Sequence, residues 1–521
     1  MPEKRIEGWK TLEEGTMKKV EADSEEFLLT KVDGEIHILG AKCPHYGAPL
    51  EQGLLNDGRI VCPWHHACFN ARTGDLLEPP ALDSLPCYRF KKDGEGLIVQ
   101  VPDESSETRP VPMASLQPSH ANQCIAIVGA GAAGSRAAES LRQNGWEGRI
   151  LLISGESDLP YDRPNCSKGL LSGEAKDEWM PLRSEKFYQE NGIERQIGRV
   201  VDCNIREKAV RFENGAEISP QGILLAMGGR PKTLDVPGVD LKEVVTLRSW
   251  KDTRRILDLI ENASNIVVVG ASFIGMEVAA SLRERGKNVT VLSPEETPFL
   301  EELGEPVGKA IQKLHEKNGT KLALGSRVRE FRGDDHLKAV VSESGDVYNA
   351  DVAIVGIGVE PATDLVEGVE LNKDGSLNVD ETLRFADDVY AAGDIARYPS
   401  AHTGGRVRIE HWRLAQQHGT VAGENLLGGK KAFTGVPFFW TRQFGSSIGV
   451  VGYPNDRDET VMTGNGDGSF TAYFIKEDRL VAAAGKQTDN LECFSELMRT
   501  NRLPSPKEIL ADKSPDLSRF L

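Results

Sequence analysis

Short apolar–polar alternations fill the first hundred positions, and longer unbroken apolar runs begin only after position 120. Glu26–Thr30, Glu35–Leu39, Arg59–Val61 and Gly96–Val101 read as strands bounded by Gly, Asp or Pro, which predicts a small β domain over residues 1–103. Residues 102–120, PDESSETRPVPMASLQPSH, hold Pro, Ser and charge with almost nothing to bury. They predict a linker, drawn at 104–122, that tethers the first domain. From Cys124 the pattern becomes α/β. Ile125–Val128 reads as a strand buried on both faces, followed by a Gly-rich turn over Gly129–Gly134, a helix over Ser135–Asn144 and a strand at Arg149–Ser154. The unit recurs as strand Asn265–Val269, turn Gly270–Gly275, helix Met276–Arg285 and strand Asn288–Leu292. Two such copies imply two nucleotide sites. Strands also run into Gly-containing turns at Ile223–Ala226, Asp351–Val355 and Val389–Ala392. Beyond position 436 the runs Pro437–Trp440, Ile448–Val451 and Ser469–Phe474, then a helix over Leu491–Thr500, predict a third α/β module.

Length and charge narrow the function. A chain of 521 residues exceeds one core and suggests three or four domains. With 62 Lys and Arg against 79 Asp and Glu, the net charge of -17 repels a phosphate backbone, so nucleic acid is not an expected partner. No apolar run is long enough to cross a bilayer and the start, Met1-Pro-Glu-Lys-Arg, lacks the apolar region of a secretory signal, so a cytoplasmic protein without an integral membrane segment is expected. The 8 cysteines do not form a disulfide framework. Cys43, Cys62, Cys68 and Cys87 all lie in the β domain, where a metal is the first thing to seek.

Cys43-Pro-His45 and Cys62-Pro-Trp-His65 form C-x-H and C-x-x-H elements. Two thiolates and two imidazoles do not by themselves separate zinc from iron. The setting favours iron: each short element supplies one Cys and one His among turn-forming Pro44, Gly47, Pro49 and Pro63, whereas a zinc finger gathers its histidines on a helix. The arrangement resembles a Rieske [2Fe-2S] centre, with two Cys on one iron and two His on the other. His66 and Cys68 read as a loop residue and a packed thiol. High-potential Rieske centres join their loops by a disulfide, but Ala48 stands at the candidate position, so that bond should be absent.

In the first α/β unit, Gly129-x-Gly131-x-x-Gly134 follows an apolar strand and precedes a helix, with Glu156 just past the second strand. Such glycines let backbone approach a pyrophosphate at a helix N-terminus, and the carboxylate can accept bonds from a ribose. The second unit, Gly270-Ala-Ser272-Phe-Ile-Gly275, has Ser at the middle glycine, which a negative φ would tolerate. Its second strand leads to Glu295, with Glu296 and Glu301 beyond and no Arg or Lys between, which argues for NADH over NADPH.

These motifs together resemble the apoptosis-inducing-factor-like (AIF-like) flavoproteins that carry an N-terminal Rieske domain, with the ferredoxin reductases of oxygenase systems as relatives. The resemblance covers about residues 10 to 500. It implies a multidomain fold: an N-terminal β Rieske [2Fe-2S] domain, glutathione-reductase-like two-Rossmann α/β FAD and NAD domains, and a C-terminal α/β domain. FAD would be held by 123–246 and 363–435, NADH by 247–362, with 436–521 as an interface domain. Tyr161-Asp-Arg163-Pro-Asn-Cys-Ser-Lys168 resembles the family's Y-x-R-P-x-L-S-K segment, placing Arg163 on the cofactor and Lys168 by the flavin N5 edge. Phe273-Ile-Gly-Met-Glu277 resembles the segment whose Glu pairs with that Lys, and Val389–Asp394 the second FAD motif. Glu410, His411, Trp412 and Trp440 would line the flavin and nicotinamide. Val200, Gly358 and Ile274 complete the implied cofactor contacts, and Lys168, Glu277 and Trp440 the catalytic set.

A disulfide reductase of this fold needs C-x₄-C beside the flavin, and only Cys166 is there, so dithiol exchange is excluded as the main chemistry. The implied activity carries electrons from NADH through FAD to the [2Fe-2S] cluster. A one-electron acceptor protein, such as a cytochrome or oxygenase component, would follow. If their outer nitrogens reach solvent, His45 and His65 are the expected exit toward that partner. The resemblance carries a second reading, a redox-sensing flavoprotein that oxidises NADH slowly and acts through a partner surface.

Overall fold

The computed structural model describes residues 2–102, 106–464, 468–486, 490–512 and 515–521. Its first hundred residues form small antiparallel sheets. One of them runs Leu54–Asn56, Arg59–Val61, Cys68–Asn70, Leu76–Glu78 in spatial order. Val61 pairs with Cys68, so residues 62–67 are the loop of a hairpin. A second loop enters the same core from the end of strand Glu35–Gly40.

The first Rossmann unit is a six-stranded sheet in the order Ile193–Ile197, Arg149–Ser154, Cys124–Val128, Gly222–Leu225, Val389–Ala391, Arg384–Ala386. All neighbours are parallel except the last pair. The second is a five-stranded parallel sheet, Val244–Thr246, Val352–Val355, Asn265–Val269, Asn288–Leu292, Lys321–Ala323. It is inserted in the chain between two adjacent strands of the first sheet. In both sheets the Gly-rich turn leaves the strand where the winding reverses, which opens a crevice at the carboxyl ends. The helices after the turns span Ala132–Gln143 and Phe273–Glu284, each starting three residues earlier than the sequence suggests because the turn's last glycine is already helical.

Helix Trp412–Asn425 lies against Ala132–Gln143. Gly419 permits this, since a Cβ there would stand 2.2 Å from the Ala133 carbonyl oxygen. The C-terminal module is a five-stranded antiparallel sheet, Phe438–Gln443, Ser446–Gly452, Arg479–Lys486, Phe470–Lys476, Glu459–Gly464, with helix Asn490–Arg499 packed on it. Among the described residues no helix is long and apolar enough to cross a membrane.

The segment expected to be a tether begins at residues 104 and 105, which lie outside the described residues; from 106 on it is tied down by hydrogen bonds. Arg109 pairs with Ser84 of the β domain and its guanidinium reaches the Leu85 and Thr73 carbonyls. Ala114 and Gln117 donate their N–H groups to Arg142 and Glu147 of the first Rossmann unit. The segment has little to bury, but its backbone polar groups find partners, a feature composition does not report.

Candidate functional site

The two Cys/His loops are built alike. Cys43 and Cys62 donate their N–H to the carbonyls five residues on, Ala48 and Ala67, and accept from the N–H four residues on, Gly47 and His66. The fourth-on residue has φ of 74° at Gly47 and 55° at His66, so a histidine occupies a left-handed position that its counterpart fills with glycine. These loops bring the Cys43 and Cys62 thiols into hydrogen-bonding contact and the Nδ1 atoms of His45 and His65 to 3.1 Å. Two nitrogens bound at about 2.1 Å to one ion take about that separation. Among the described residues no three Cys, His, Asp or Glu gather as one isolated ion would need. The four form a thiol pair and an imidazole pair, the donor set of a two-iron cluster. None of the described cysteines is joined in a disulfide.

The histidine edge, expected as an exit, is half-buried and meets Trp440 of the C-terminal module. The His65 ring lies 4.3 Å from that of Trp440, and His45 6.4 Å from it. Strand Phe438–Gln443 makes this contact by alternation. Phe438 stacks on His66 at 3.8 Å and Trp440 meets His65, while Phe439 stacks on His411 at 3.6 Å and Thr441 donates to Glu277.

Charged side chains hold the β domain in this place. Arg413 is almost fully buried and donates to the His66 carbonyl at 2.9 Å, to Pro79 at 2.9 Å and to Glu78 Oε2 at 2.7 Å. Glu78 also pairs with Arg59, which reaches Glu496 of the C-terminal helix. Burial would raise the Glu78 carboxyl, but Arg413 and Arg59 outweigh it and keep it below its ordinary value. Arg183 bridges Asp83 and Glu139, and Tyr46 donates to Asp162.

Beside Trp440 opens a cavity of about 980 Å³ that spans both Rossmann units. Gly129, Gly131, Glu156, Arg163, Lys168, Val200, Ile274, Glu277, Gly358, Asp394, Glu410, His411, Trp412 and Trp440 all line it. At Gly131 a Cβ would meet nothing within 4 Å, so the glycine leaves open space where a pyrophosphate would approach. Gly134 stands behind the wall, its Cα too close to the Gly129 carbonyl for any side chain. Gly270 and Gly275 play the same backing part in the second turn, and Ser272 keeps a φ of -101°. Glu295 lies outside the lining, past strand Asn288–Leu292, accepting from Ser293.

Glu156 accepts from Tyr161 at 2.7 Å and Arg163 at 2.9 Å. Burial opposes its ionisation, yet Arg163 keeps the carboxyl below its usual range. Lys168 Nζ lies 2.8 Å from Glu277 Oε2, 109 residues away in the chain. Ser167 donates to that same oxygen at 2.6 Å and Thr441 to Oε1 at 2.8 Å. Burial pushes the His411 imidazole down to about 3, so it is neutral in the wall at neutral pH. Sequence reasoning missed Arg248, which donates to Asp394 at 2.7 Å and whose carbonyl accepts from Arg163. It also missed Ser167, Thr441 and Arg413, although each adjoins a residue it did single out. The cavity lining fits FAD and NADH: glycine backbone that phosphates could approach, a Glu156 carboxylate that could accept from a ribose, and the Lys168 ammonium as a cation.

Fold and site together define an NADH-dependent FAD oxidoreductase with a fused Rieske [2Fe-2S] domain. The chain belongs to the pyridine nucleotide-disulphide oxidoreductase family, whose model matches residues 123–419, with a Rieske [2Fe-2S] domain at 5–89 and a reductase C-terminal domain at 438–521. It is 39% identical to apoptosis-inducing factor 3 of Homo sapiens over 98% of this chain and 86% of that protein. It is 33% identical to the ferredoxin–NAD(+) reductase component of the anthranilate 1,2-dioxygenase system of Burkholderia cepacia, over 76% of this chain and 98% of that one. Among solved structures, the covalent putidaredoxin reductase–putidaredoxin complex matches with a TM-score of 0.73 and 28% identity, covering 77% of this chain and 98% of that one.

Proposed function

We propose that this protein delivers NADH-derived electrons, one at a time, to a soluble acceptor protein, and that Trp440 and His65 join its two redox sites inside one chain. When bound, FAD takes a hydride from NADH and the [2Fe-2S] cluster carries single electrons. The observation that carries the reading is the 4.3 Å approach of the His65 and Trp440 rings at the mouth of the flavin cavity.

Cys43 and Cys62 hold one iron, His45 and His65 the other. Gly129, Gly131 and the N-terminus of helix Ala132–Gln143 face the FAD pyrophosphate, with Glu156 and Asp394 on its hydroxyls. Lys168 presents an ammonium, held by Glu277, where negative charge builds at the reduced ring. Glu295 receives the NADH ribose and disfavours a 2′-phosphate. Phe439 and the neutral His411 exclude water from one side of the site, Trp412 and Trp440 from another. The acceptor is a cytochrome or oxygenase component, by analogy with the ferredoxin-linked relatives, and described cysteines that form no disulfide suit a reducing cytoplasm.

Anaerobic titration with NADH, followed optically and by electron paramagnetic resonance, tests the reading. Native protein should show flavin and cluster reduced together, and Trp440→Ala should keep flavin reduction while slowing cluster reduction at least tenfold, about 1.4 kcal/mol in the barrier. A cluster that NADH never reduces would overturn it. Slow flavin reduction with a change of shape and no onward transfer would favour the sensing role instead.

A further inference from the structure

Beyond the ion pair at the redox end, a line of buried polar side chains continues away from the cavity. Thr441 donates to Glu277 Oε1 at 2.8 Å, Gln443 Nε2 donates to Thr441 Oγ1 at 3.0 Å, and His315 Nε2 lies 2.8 Å from Gln443 Oε1. All four residues are at most 2% exposed. The direction of every link follows from the first. Because Gln443 spends its amide N–H on Thr441, its carbonyl faces His315, which must then carry its proton on Nε2. That leaves His315 Nδ1 to accept from Thr320 Oγ1 at 3.2 Å. Burial pushes the imidazole down to about 4, in keeping with this single neutral tautomer.

We propose that Thr441, Gln443 and His315 are positioning residues for flavin reduction: a one-way hydrogen-bond chain that fixes the Glu277 carboxylate so that Oε2 is left for Lys168. The proposal rests on the role given above to the Lys168–Glu277 pair. The chain ties together three units. His315 is on helix Leu300–Lys317 of the second Rossmann unit, Thr441 and Gln443 share one face of a C-terminal strand, and Lys168 belongs to the first Rossmann unit. Glu277 has two oxygens and three donors, Lys168, Ser167 and Thr441. With one oxygen held by Thr441 and the other by Lys168 and Ser167, twisting the carboxylate out of this plane would leave a buried donor unmatched, so an oxygen faces the Lys168 ammonium in every molecule. A hydroxyl replaced by a methyl group would free that rotation at almost unchanged volume.

The test compares Thr441→Val, Thr441→Ser and Gln443→Leu in the holoenzyme. Thr441→Val and Gln443→Leu should slow stopped-flow flavin reduction at saturating NADH by about tenfold, the scale of a hydrogen bond to a charged group, without weakening NADH binding. The flavin midpoint potential should move to more negative values in both, and Thr441→Ser should restore rate and potential. Nitrogen-15 imidazole spectra of the native protein should show His315 as the Nε2-protonated tautomer, and the Nδ1-protonated form would overturn the chain. So would native rate and potential in Thr441→Val, even with a lowered melting temperature, provided Lys168→Ala and Glu277→Gln are slow. If those two are also at the native rate, the role of the ion pair itself is refuted, and the chain's role with it.

Discussion

Gly129 and Gly270 occupy the same point of two turns, with φ of 110° and 109°, and in both a Cβ would strike the backbone, 2.2 Å from the Ala226 oxygen in one and 2.3 Å from the Gly356 oxygen in the other. Gly134 and Gly275 match equally well, each standing where a Cβ would fall within about 2 Å of the first glycine's carbonyl oxygen. The middle positions differ. Gly131 faces empty space in the cavity, whereas Ser272 donates its hydroxyl to Glu302 at 2.6 Å. The outer glycines are therefore demanded by the chain's own path, and the middle one by what comes to lie against it. A backbone with negative φ accepts a serine; whether the ligand does depends on how closely that ligand must approach.

The largest effect that could break this equivalence is at the outer glycines. Gly129→Ala and Gly270→Ala should each lower stability by about 3 kcal/mol or more, through a left-handed φ combined with a backbone clash, as read by thermal unfolding. A stable, FAD-loaded Gly129→Ala would show the two turns to be built differently. Next comes Gly131→Val, which should fold, since φ there is -74°, but should purify with little FAD while still binding NADH. Retained flavin would mean that the pyrophosphate does not pass this residue. Glu295→Ala should raise the KM for NADH about tenfold, the worth of a charged hydrogen bond, and leave flavin reduction at saturation nearly unchanged. If native kcat/KM were higher with NADPH, the reading of that strand end would fail. The smallest effect is Ser272→Gly, with KM within about threefold of native and a stability loss of about 0.5–1 kcal/mol from backbone entropy.

What the sequence discloses and what it hides divide along the range of the interactions. The nucleotide turns and the Cys43, His45, Cys62, His65 set are legible because glycine positions and ligand spacing are local consequences of the chemistry. Lys168 and Glu277 could be paired only through a resemblance, because nothing within either segment reports a partner 109 residues distant. The docking of the Rieske domain is hidden more deeply. Arg413 reads as one polar position of a helix, yet it spans to Pro79 and His66, 334 and 347 residues away. His66 reads as a loop residue, and only the backbone bond it shares with Gly47's position shows why it is buried and left-handed.

The packed connector has a kinetic meaning. Between Arg109, anchored to the Rieske domain, and Ala114, anchored to the first Rossmann unit, lie only Pro110, Val111, Pro112 and Met113. Five residue steps extend to at most about 18 Å, and two prolines stiffen them. A detached ferredoxin must find its reductase by diffusion, so its reduction is second order and slows on dilution. Here the two halves are held at a fixed effective concentration, and the transfer between them is first order at any dilution of the protein.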